Sequence, residues 1–170
     1  MKKLAEIFPD SFFRVSIKWH KPVLLDELSK LDNLDQHSCY LYKILGKHKT
    51  KEDDYRLIYI GMTEKQLIHY RLSNKDHLEK QKEMKKQNRG YELYCSVGEF
   101  VDIGEKKHMD FSVKNVKSIE NILIVSHYNY NLYNKRDKEW FSSGFWICIK
   151  NEGFLKDKMK KTISYGLFSD

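Results

Sequence analysis

Two short apolar runs, CYLYKIL at 39–45 and LIYIGMT at 57–63, flank a polar stretch, GKHKTKEDDYR, at 46–56. Each run is rich in β-branched and aromatic residues, which suit a pleated surface, so each reads as a strand. A polar loop between two strands makes an antiparallel hairpin. Residues 64–89 are then dense in Lys, Glu, Gln, Leu and His, with neither proline nor glycine until Gly90. That composition is helical, with a break near Ser73-Asn74 that divides it into two helices.

YELYCSVGEFV, 91–101, alternates as a third strand. VKSIENILIVSHYNY, 116–130, places Ile119, Ile122, Leu123 and Val125 at helical spacing. LLDELSKLDNL, 24–34, reads as a short amphipathic helix, and GFWICIK, 144–150, as a further strand. The basic KDKMKKTISYG near the C-terminus carries no clear fold signal. The expected class is α+β: a small three-stranded antiparallel sheet flanked by helices. Residues 38–134 form its core, 1–37 an N-terminal extension and 135–170 a C-terminal one, in a single compact domain.

At 170 residues the chain can bury a core without staples, since roughly 70% of unfolded surface is lost at this size. Cys39, Cys95 and Cys148 are widely spaced and include no Cys-x-x-Cys pair, so a zinc or disulfide framework is not expected. No apolar run nears the roughly 20 residues that span a bilayer. MKKLAEIFPDSFF starts like a signal peptide, but Glu6, Pro9 and Asp10 interrupt it. These features predict a cytoplasmic protein that is not membrane-bound. The net charge of +7 and pI near 9.1 suit a polyanionic partner, nucleic acid before membrane. The plainer account of that charge is solvated surface lysine.

The second strand contains Tyr59-Ile60-Gly61. Arg71 follows in HYRLSNKDH, which ends at His77; Glu120 lies in SIENILI and Asn134 in NLYNKR. In this ordered set the chain resembles the GIY-YIG nuclease superfamily over residues 38–134. The family's first motif is altered, because no glycine precedes the tyrosine. LYKI at 41–44 makes Tyr42 the motif tyrosine, and SCYLY at 38–42 makes it Tyr40. The two share one face of a strand, and Tyr42 is the favoured assignment.

The resemblance implies a GIY-YIG-like fold and a metal-dependent endonuclease acting on double-stranded DNA, of restriction or mobile-element type. Its metal is Mg²⁺ or Mn²⁺, held by Glu120. Such a cation prefers oxygen ligands and keeps several waters, so one carboxylate suffices. Arg71 offers a planar donor fork for phosphate oxygens. Tyr42 or Tyr40, with Tyr59, positions or deprotonates the attacking water, which requires a lowered phenol pKa. His77 assists the base or contacts phosphate.

Gly61 permits close backbone approach. Lys75, Lys85, Lys86 and Arg89 with Asn134 complete the expected nucleic-acid contacts. Lys156, Lys158, Lys160 and Lys161 add possible phosphate contacts, and Trp140, Phe145 and Trp146 read as core of the C-terminal extension. Two alternatives stay open: a catalytically silent nucleic-acid-binding module, and a nuclease acting on RNA or branched DNA.

Overall fold

A computed structural model describes residues 12–31, 39–101, 113–134 and 146–165. The strands are β1 (Phe12–Trp19), β2 (Val23–Leu24), β3 (Leu41–His48), β4 (Tyr55–Met62), β5 (Tyr91–Val101), β6 (Trp146–Gly153) and β7 (Thr162–Tyr165). The α-helices are α1 (Ile68–Ser73), α2 (Lys75–Gln87) and α3 (Val113–Ser126). Short 3₁₀ turns cover Leu25–Leu31 and Tyr128–Tyr130.

Among the described residues the strands form one seven-stranded mixed sheet, curled into a half-barrel and ordered β4-β3-β5-β1-β6-β7, with β2 also on β5. This corrects the expected small three-stranded antiparallel sheet. β3, β4 and β5 do pair antiparallel, but β5 continues the ladder on its other edge to β1 and β2. β1 then pairs in parallel with β6, which carries β7. The additional strands come from the stretches read as extensions. In β1, Val15, Ile17 and Trp19 are buried on one face, while Arg14 and Lys18 on the other are exposed and the small Ser16 between them is buried. Its parallel partner lies more than a hundred residues away, so no local pattern announces the pairing.

The Asn74 side chain accepts the His77 backbone N–H and caps α2, which explains the helix break at that point. The helix expected at 24–34 is a 3₁₀ turn kinked at Glu27 (φ −117°, ψ 23°); Asp32–Leu34 lie outside the described residues. Residues 1–11 and 135–145, including Trp140 and Phe145, also lie outside them, as does the Trp146 side chain.

Apolar side chains cover both faces of the sheet. Val15, Ile17, Leu41 and Leu45 pack with Ile119 and Leu123 of α3 on one face. Tyr42, Ile44, Leu93 and Val97 pack with Ile68, Leu72 and Met84 of α1 and α2 on the other. Helices from both faces therefore approach the β4 edge, where the candidate site lies. No helix among the described residues is long and apolar enough to cross a membrane.

Candidate active site

The hairpin register sets Tyr42 opposite Gly61 and Ile44 opposite Tyr59. The register shifts between Ile44 and Leu45, leaving Ile58 as an extra residue on β4. Such a bulge re-aims neighbouring side chains, and here Ile58 and Tyr59 both pack on the α1/α2 face. The rings of Tyr42 and Tyr59 are stacked, with centroids 6.0 Å apart and planes at 29°. They lie over Gly61, where a β-carbon would come within 2.4 Å of Tyr42 Cζ and 2.8 Å of Tyr59 Cε1. The motif glycine is thus required by the two tyrosines. Gly61 is buried beneath them, so its close approach is to those rings.

Burial of Ile68 and Leu72 anchors the short α1 and orients Arg71 toward the β4 edge. Arg71 Nε is buried and has no hydrogen-bond partner among the described residues. On α3, Val116, Ile119 and Leu123 enter the core, while Val113, Lys117 and Glu120 line the neighbouring shoulder. The helix begins at Val113, so Glu120 sits about two turns in. That is beyond the first turn, where the helix dipole would favour an acid. Tyr42, Tyr59, Arg71, Glu120, Lys117 and Asn134 line one open pocket of about 1110 Å³.

Burial holds the Tyr42 phenol well above its usual pKa, with Tyr59 and Glu120 adding to the effect and Arg71 partly offsetting it. The expected lowering is therefore not supplied by the protein's own groups, because desolvation outweighs the single nearby guanidinium. Tyr42 presents a protonated hydroxyl. Burial, aided by Arg71 and Lys80 and opposed by Asp76, lowers His77 to about 4. Its neutral ring packs edge-on against Tyr59 at 6.5 Å, behind the pocket wall. Tyr40 is buried in the α1/α2 core and does not line the pocket.

No family model, curated protein or solved structure matches this chain.

Asn134 serves the strand itself. Its Oδ1 accepts the Ile60 N–H at 3.1 Å and its Nδ2 donates to the Ile60 carbonyl at 2.8 Å. The Tyr133 N–H adds a bond to the Ile58 carbonyl at 2.7 Å. The free edge of β4 is thereby paired at the Tyr-Ile-Gly motif, which holds Tyr59 in place. Lys75, Lys85, Lys86 and Arg89 are exposed on α2 and just beyond it, outside the pocket lining.

The pocket includes residues the sequence reading passed over: Lys65, Lys80, Lys117, Asp76 and Glu79. Lys117 lies one helical turn before Glu120, a spacing that periodicity alone could have flagged. Lys65 has a left-handed backbone, φ 48°, uncommon for a residue with a side chain.

A hard divalent cation is implied by the resemblance. Among the described residues no three His, Cys, Asp or Glu side chains cluster as a ligand group. Glu120, with phenol oxygens in a wide polar pocket, instead suits an ion that keeps most of its waters.

One substitution pair tests the tyrosine assignment. Tyr42→Phe removes a hydroxyl at the pocket, whereas Tyr40→Phe removes one from outside its lining. Cleavage assays should show the larger loss for Tyr42→Phe, and the reverse order would move the motif by two residues.

Proposed function

We propose that this chain is a metal-dependent endonuclease hydrolysing phosphodiester bonds in double-stranded DNA, by the chemistry that its resemblance to GIY-YIG nucleases implies. The observation that carries the reading is Arg71: a buried guanidinium nitrogen without a partner among the described residues, on a residue that lines one pocket with Glu120, Tyr42 and Tyr59. A desolvated donor of this kind is costly when left unpaired, and a guanidinium is a strong donor to phosphate oxygens.

Glu120 would hold the cation, which supplies Lewis acidity and stabilises the leaving oxygen. Arg71 binds the scissile phosphate and stabilises the charge that grows on it. Tyr42, protonated, donates a hydrogen bond to a phosphate oxygen or the attacking water, and Tyr59 stacks beside it. Asn134 and Gly61 hold the tyrosines in register. The competing reading is a catalytically silent nucleic-acid binder; the altered first motif, with no glycine before the tyrosine, favours it.

Incubation of the purified chain with plasmid DNA decides between them. Mg²⁺ or Mn²⁺ should support nicking or linearisation, and excess EDTA should stop it. Full activity in EDTA would overturn the metal-dependent reading, and absence of cutting under any divalent metal would favour the binder. Arg71→Lys keeps the charge but loses the planar fork, and its rate should fall at least tenfold, about 1.4 kcal/mol. A wild-type rate in that variant would place Arg71 outside the chemistry.

A further inference from the structure

We infer that α2 carries a second binding face, separate from the pocket, that grips the sugar–phosphate backbone of duplex DNA. The inference rests on nucleic acid being the partner. His77, Gln81 and Met84 are the buried side of α2. At 3.6 residues per turn, Lys75, Leu78, Lys82, Lys85 and Lys86 fall within an arc of about 100° on the exposed side. No acid interrupts that arc. The acids of the helix, Asp76, Glu79 and Glu83, occupy the adjoining arc, and Asp76 and Glu79 line the pocket.

Lys82 and Lys86 are like charges at i,i+4, as are Glu79 and Glu83, while Lys75–Glu79 and Asp76–Lys80 are opposite charges at the same spacing. Lys75 is the first residue of α2, where the helix dipole disfavours a cation. The acid-free arc of exposed lysines suits a polyanion. Lys85 is partly neutralised by Asp26 at 3.3 Å. Lys75, Lys82 and Lys86 have no acidic partner among the described residues and are exposed. Arg89, just past the Asn88 C-cap, is also exposed and lies at the end of the row.

A helix of 13 residues is about 20 Å long, enough to face several phosphates of one strand at about 3.4 Å of axis each. Leu78 is the one apolar residue in the arc, so the face lacks the apolar side needed to bury itself in a lipid surface.

The test is fluorescence anisotropy of a short labelled DNA duplex across a salt series in EDTA, so that binding is read without cleavage. The full chain is compared with the triple variant Lys75→Gln/Lys82→Gln/Lys86→Gln. A second triple, Lys21→Gln/Lys49→Gln/Lys51→Gln, removes the same charge at exposed positions elsewhere. Loss of three phosphate contacts should shallow the plot of log affinity against log salt by about 2.7, at about 0.9 per contact. The second triple should change it by less than one. Thermal melts should show all three proteins folded, since every substituted side chain is exposed.

Equal slopes in wild type and the α2 triple would overturn the proposal. So would equal losses in both triples, which indicate general charge. Binding to anionic vesicles but not to the duplex would overturn it as well. The nuclease reading fails separately: a chain that never cuts, yet loses its salt slope in the α2 triple, keeps this face and loses the catalytic assignment.

Discussion

Glu120→Gln should reduce plasmid cleavage at least a hundredfold, about 2.7 kcal/mol of transition-state stabilisation, while leaving DNA affinity equal or higher. The substitution keeps the shape of the side chain and the packing of Ile119 and Leu123 beside it. It removes the charge that would hold the cation. The same charge repels a phosphate when no cation intervenes, so binding measured in EDTA should hold or tighten. Two measurements in matched buffers check this: plasmid cleavage, and gel-shift affinity for wild type and variant. A variant that cuts at the wild-type rate would remove Glu120 from the site and the metal assignment with it. A variant that loses both cutting and binding would mean that Glu120 supports the pocket's shape.

Lys43→Met should lower stability by about 3–5 kcal/mol, the usual consequence of stranding one member of a buried ion pair. Lys43 and Asp157 are both fully buried, with Nζ 2.8 Å from Oδ2. Nζ also donates to the Phe154 carbonyl at 2.8 Å and lies 4.7 Å from the Trp19 ring centroid. No other directed donor reaches either Asp157 oxygen among the described residues. Without Lys43 that carboxylate has no ion-pair partner among the described residues. For a chain of this size the melting temperature should fall by roughly 6–20 °C. Lys43→Met/Asp157→Leu removes both charges and should recover most of the loss, because apolar replacement of a whole buried pair is often neutral. A single variant melting within about 2 °C of wild type would show that the pair is dispensable.

Lys43 and Tyr42 show how neighbours in one strand separate. The alternation of a strand sends Tyr42 to the α1/α2 face and Lys43 to the α3 face. A lysine in CYLYKIL reads as a surface residue in sequence, and only the 154–159 segment lying over it makes it an interior one. Its partner Asp157 falls in the basic tail that carried no fold signal, more than a hundred residues along the chain.

What sequence alone determined is local. The hairpin strands, the third strand at 91–101 and the division of the helical run at Asn74 follow from side-chain alternation, composition and a capping residue. Those patterns act over a few residues and need no partner to be visible. The order Tyr59, Arg71, Glu120 was legible too, and so was the pairing of Tyr40 with Tyr42 on one strand face.

Tertiary structure decided the rest. It made the sheet seven-stranded and mixed, because the parallel β1–β6 ladder joins segments whose register no local pattern encodes. It set Tyr42 on the pocket and Tyr40 in the core, because two residues on one face differ only in how far along the strand the pocket lies. It raised the Tyr42 pKa instead of lowering it, since burial depends on what covers the ring. It turned Asn134 into an edge-strand partner of Ile60, and it divided the charges of α2 between the pocket and solvent, because the buried side of a helix is fixed only when the helix is docked.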